Sequence, residues 1–158
     1  MAALARVLAN AATMAGVNSA IVLVVDRLGA GFLGPYGNTW LETPHFNRLA
    51  AQSLLCETAW ADSPALDAAH RAMWTGGHGL EPAATDESAL AARAASQGAR
   101  TLLITDDESV ARHPLAAASS EHVLVESATA SRAAAQIDQT NLFRLMAAAI
   151  EAIEQTTE

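Results

Sequence analysis

Ala20-Ile21-Val22-Leu23-Val24-Val25-Asp26 is the stretch that decides how this chain folds. A strand with one wet face alternates apolar and polar residues. This run does not alternate, and four of its residues (Ile21, Val22, Val24 and Val25) are β-branched. Such a run suits a strand buried on both faces, as in a parallel sheet covered by helices. It stops abruptly at the carboxylate of Asp26.

Reading outward towards the C-terminus, Gly29, Gly31, Gly34, Pro35, Gly37 and Pro44 mark residues 27–44 as an irregular loop. Thr43-Pro44 then opens a helix with Phe46, Leu49, Ala50 and Leu54 on one face; Thr43 suits the cap and Pro44 the first helical position. Leu54 to Trp60 reads as a short strand, and residues 61–69 as a small-residue loop leading into His70–Trp74. Thr75-Gly76-Gly77-His78-Gly79 breaks the chain again. Glu87 to Ser96 reads as a helix closed by Gly98. Arg100 to Thr105 is a second buried strand followed by Asp106-Asp107, for which helix capping is the simplest role. Residues 108–112 suit one helical turn, and His122 to Val125 a third strand. Thr140 to Gln155 predicts a final helix, with Leu142, Leu145, Met146, Ala149, Ile150 and Ile153 on one face. Reading the other way, Leu4, Val7, Leu8, Ala11 and Met14 have helical spacing over residues 3–15, ended by Gly16 and Asn18.

The alternation of strands and helices defines an α/β fold: a mostly parallel sheet flanked by helices, in one domain over residues 1–158. Ligands of such sheets sit beyond the carboxyl ends of the strands. Asp26 and Asp106-Asp107 lie there.

Composition excludes several functions. The formal net charge is −8, which does not suit nucleic acid or an anionic membrane. All nine basic residues are arginine, so no mechanism that needs an amine is open to this chain. The single cysteine, Cys56, rules out an internal disulfide and reads as a small buried hydrophobe. Met1 to Ala20 lacks the basic start and unbroken apolar run of a signal peptide. No run approaches the roughly 20 apolar residues of a membrane span. The expected location is the cytoplasm. His45 is expected on the surface. His113 and His122 have no partner at ligand spacing, so no zinc site is expected.

Gly29-Ala30-Gly31-Phe32-Leu33-Gly34 has the G-x-G-x-x-G form of a dinucleotide loop. That use requires the glycines to turn straight from strand into helix. Here Asp26-Arg27-Leu28 intervene, and Pro35 and Gly37 interrupt any helix. A nucleotide-binding module using this loop is therefore the least favoured of three functional readings.

The same region resembles the opening of the sulfatase family, within the alkaline phosphatase superfamily. The resembling elements come in order over residues 19–105. They are the strand into Asp26, Leu33-Gly34-Pro35-Tyr36-Gly37, Thr43-Pro44-His45-Phe46-Asn47-Arg48-Leu49-Ala50, Leu55 to Trp60, Arg71-Ala72-Met73-Trp74-Thr75-Gly76, and Gln97-Gly98-Ala99-Arg100-Thr101-Leu102-Leu103-Ile104. The resemblance implies a partial sulfatase-like domain, the first portion of such a fold, with a divalent cation (calcium in that family) held partly by Asp26. It places catalytic roles on Asp67, His70 and Arg71.

The chain departs from that pattern where the chemistry lies. Arg27 replaces the second aspartate of the first strand. The Cys/Ser nucleophile position falls on Leu66 or on Asp67, according to whether Thr75-Gly76 or Arg71 sets the register. The family's catalytic lysine has no counterpart. The expectation is a sulfatase-like domain without independent turnover and with no cation bound. The alternative is a weak metal-dependent sulfate or phosphate ester hydrolase completed by oligomerisation. An unpaired sheet edge further predicts a homo-oligomer or a protein partner covering it.

Overall fold

The computed structural model describes residues 2–6, 19–26, 28–61, 63–78, 89–126 and 134–157. Four strands form one sheet: β1 (Ala2–Arg6), β2 (Val22–Val25), β3 (Leu102–Thr105) and β4 (Glu121–Leu124), in the order β2-β1-β3-β4. Five α-helices accompany it: α1 (Pro44–Ala51), α2 (Leu66–Thr75), α3 (Leu90–Ser96), α4 (Glu108–Ala111) and α5 (Asn141–Thr157).

The α/β class stands, but the sheet is mixed rather than mostly parallel. β3 and β4 are parallel, while β1 is antiparallel to both of its neighbours. β2, β3 and β4 therefore all point one way, with β1 inserted against them. The helix expected from residue 3 is a strand over Ala2–Arg6; residues 7–15 of that expectation lie outside the described residues. Between β2 and β3, a short strand can satisfy its N–H and C=O groups on both sides at once. A single helical turn cannot, and the helical spacing of alanine and leucine is too weak a preference to resist.

β3 is the buried centre. Ile104 is 2% exposed and packs on α5 through Leu145 (0% exposed) and Ala149; Val25, Leu102, Val125, Ala148 and Ala152 surround them. Leu103 and Thr105 alternate to the other face and are also buried. α4 packs beside β3 and β4, and α3 packs on the 3-10 turn Pro114–Ala118 and on α2. The buried Ala89, Ala94, Val110, Leu115 and Ala116 belong to this second layer. β4 is exposed throughout, and the bidentate pair of Arg100 with Glu121 (2.6 and 2.7 Å) fastens its start to the beginning of β3.

Other local expectations need correction. Residues 54–60 form no strand, and Cys56 is exposed. The segment crosses the surface, where Tyr36 Oη donates to the Cys56 carbonyl at 3.2 Å. The loop expected over residues 61–69 already becomes helix at Leu66. Its alanines are strong helix formers, although their small size reads as a loop. Thr43 does not cap α1 through its side chain. Its Oγ1 instead accepts the amide of Gly34 at 2.8 Å.

Candidate functional site

The carboxyl ends of β2 and β3 carry Asp26 and Asp106-Asp107, where an α/β sheet places its ligands. α2 faces this end. Asp67, His70, Arg71 and Trp74 occur on it at i, i+3, i+4 and i+7, so they line one side of the helix. Gly76, at φ +70°, terminates α2, its amide donating to the Ala72 carbonyl. Thr75 Oγ1 donates to the Arg71 carbonyl at 2.8 Å and accepts from the Gly77 amide at 3.2 Å. In this chain the Thr75-Gly76 pair therefore acts as a helix terminator.

Asp67 is held from both sides. Its Oδ2 accepts from Arg71 Nη2 at 2.8 Å, and its Oδ1 lies 3.2 Å from His113 Nε2. His113 arrives from the end of α4, and its Nδ1 accepts the amide of Leu115 at 3.2 Å. Trp74 stands between two histidines. It stacks on His70, with ring centres 5.8 Å apart and planes 17° from parallel. Its other contact is edge-on with His113, at 4.9 Å and 78°.

His70 is 6% exposed. Burial pushes its pKa below the ordinary histidine value, and neighbouring His113 pushes the same way; Asp107, Asp26 and Asp67 oppose them. The balance at His70 thus leans towards the uncharged ring. One oxygen of Asp26, Oδ1, is buried in this region.

Asp107 plays the capping role expected of it. Its Oδ1 accepts from the Ser109 amide (2.6 Å), the Ser109 hydroxyl (2.5 Å) and the Val110 amide (3.3 Å). Burial alone would raise its pKa. The hydrogen bonds from Ser109 and Val110, with help from His70, outweigh that and leave it lowered.

Asp26, Asp67 and Asp107 all act electrostatically on His70, and Arg71 is joined to Asp67. Sequence reasoning missed Trp74 and His113. Trp74 carried a legible signal, its helical spacing from His70 and Asp67. His113 carried none, because its partners come from α2, far away in sequence.

The donor set does not fit the calcium ion of the resembled family, which takes six to eight oxygen ligands. Both oxygens of Asp67 are engaged by cationic or N–H partners, and Asp107 Oδ1 serves the start of α4. Among the described residues, no group of three or more His, Cys, Asp or Glu side chains is placed to hold a metal.

The Gly29–Gly34 loop has no helix behind it. It folds into two 3-10 turns, Ala30–Phe32 and Gly34–Tyr36. The amides of Phe32, Leu33, Gly34, Tyr36, Gly37 and Asn38 all donate within this region. Amides spent in this way cannot cradle a pyrophosphate.

No helix among the described residues is long and apolar enough to cross a membrane. Compared with protein-family models, curated proteins and solved structures, the chain matches none.

Proposed function

We propose that this chain is a sulfatase-like α/β domain that does not cleave esters by itself and serves as a binding or assembly module. The observation that carries this reading is the state of Asp67. Asp67, or Leu66 beside it, stands where the resembled family has its nucleophile, and both oxygens of Asp67 are committed, one to Arg71 and one to His113. A carboxylate whose negative charge is drawn on by a guanidinium and an imidazole is a weakened nucleophile. No lysine is present to offset charge on a transferred group.

The test is turnover of 4-nitrophenyl sulfate and 4-nitrophenyl phosphate by the purified protein, with and without calcium, magnesium, manganese or zinc. The expected rate equals that of the Asp67→Ala, His70→Ala double variant. Metal-dependent turnover that the double variant loses would overturn the reading.

A second reading is a weak metal-dependent ester hydrolase, completed by another copy or chain. It is favoured by the electrostatic influence of Asp26, Asp67 and Asp107 on the buried His70. It requires the same assay to show activity that rises with protein concentration.

The exposed β4 supports an assembly role. Among the described residues it pairs with β3 alone, and Val123 and Leu124 are 39% and 48% exposed. A second copy or another protein covering that edge is part of the proposal.

A further inference from the structure

We propose that His113 is a proton-operated switch: when neutral it bridges α2 and the Pro114–Ala118 turn, and when protonated it releases the turn and keeps α2.

The argument starts from the two ring nitrogens. Nδ1 accepts the Leu115 amide at 3.2 Å, so in the neutral ring it carries no proton. The ring hydrogen must then sit on Nε2, which faces Asp67 Oδ1 at 3.2 Å and donates to it. The backbone of the turn thereby fixes the tautomer that binds α2.

Protonation can add a hydrogen only at Nδ1. That hydrogen would face the Leu115 N–H, donor against donor, and the cap would be lost. The Nε2–H to Asp67 contact would meanwhile become charge-assisted and tighten. The released turn matters to the fold, because its Leu115 and Ala116 are buried and it packs on α3.

Charged and titratable groups stand around His113 on several elements. From α2, Asp67 faces it, with Arg71 on the same carboxylate. His70, also on α2, is kept towards neutrality by burial. From α4, Arg112 is paired with Glu108, and Asp107 Oδ1 is committed to the helix start. Asp26, beyond β2, acts on His70. Trp74, in edge contact with His113, is placed to sense the change. The switch rests on these contacts alone and is independent of the functional reading above.

NMR of the full chain, titrated from about pH 8 to about pH 5, tests it. At the upper end His113 should be the Nε2–H tautomer. As its ring protonates, the Leu115 amide proton should move upfield, and its exchange protection, corrected for intrinsic pH dependence, should fall roughly five- to tenfold. In His113→Asn, a non-titrating side chain whose oxygen can still accept the amide, Leu115 should stay protected throughout. An Nδ1–H tautomer at high pH overturns the switch. So does a Leu115 amide that ignores the His113 titration, or one that titrates equally in His113→Asn. If that variant does not fold, the two wild-type measurements decide.

Discussion

The amide of Gly34 donates to Thr43 Oγ1 at 2.8 Å, which ties the glycine loop to the residue just before α1. Thr43 Oγ1 also lies 3.4 Å from Asn47 Oδ1 on the helix. A Cβ on Gly34 would come within 2.2 Å of Asn47 Oδ1 and 2.9 Å of Thr43 Oγ1. Two elements of the sulfatase resemblance, Leu33 to Gly37 and Thr43 to Ala50, are thus one local structure, closed by contact at this glycine.

Gly34→Ala should therefore turn the exposed Asn47 side chain away and strain the Thr43 contact, at a cost of about 1 kcal/mol, the net worth of one hydrogen bond. Adding Asn47→Ala should recover part of that loss, because the nearer clash disappears. Urea unfolding midpoints of the single and double variants check both statements.

Leu145→Ala should cost about 2–5 kcal/mol. The side chain is fully buried against Ile104 at the centre of the α5–sheet core, whereas Leu142, the other leucine of the 17-residue α5, is 50% exposed. Ile150→Ala, on an exposed flank of the same helix, should cost much less. Chemical denaturation of both variants separates a packing loss from a general loss of helix propensity.

Acid should weaken the fold through His70. Its pKa in the folded protein is lowered, chiefly by burial, so the unfolded chain binds protons more readily. The stabilising contribution is complete above the unfolded value near 6.5, and is lost as pH falls from there through the lower folded value. Stability measured from pH 7.5 downward, to about pH 5, should fall more steeply in the wild type than in His70→Gln. Equal slopes would mean that His70 does not titrate differently on unfolding. Asp107, also lowered, acts in the same direction in a more acidic window, below its ordinary value of 3.8.

Leu124→Lys should weaken self-association if β4 is the edge that a second copy covers. Leu124 is 48% exposed there, and a charged residue on an edge strand opposes further pairing. Sedimentation equilibrium of the wild type and the variant reads the shift. A wild type that stays monomeric at every concentration removes self-association and leaves a different protein as the partner.

Sequence by itself determined the α/β class and the positions of its main pieces. The strand Leu102–Thr105 and the amphipathic α5 were legible because burial on two faces and burial on one face leave different periodicities, whereas Val22–Val25, read as buried on both faces, is a strand at the sheet edge with Leu23 45% exposed. It also placed Asp26 at the end of a strand, which is a local fact. Tertiary structure alone decided the rest. Ala2–Arg6 becomes a strand because β2 and β3 offer it hydrogen bonds on both edges, which no local pattern encodes. His113 joins Asp67, and Trp74 lies between His70 and His113, because packing brings α2 against the segment after α4. The glycine loop folds on itself rather than around a phosphate for a related reason: its amides find acceptors within reach, notably Thr43 Oγ1, once α1 is in place.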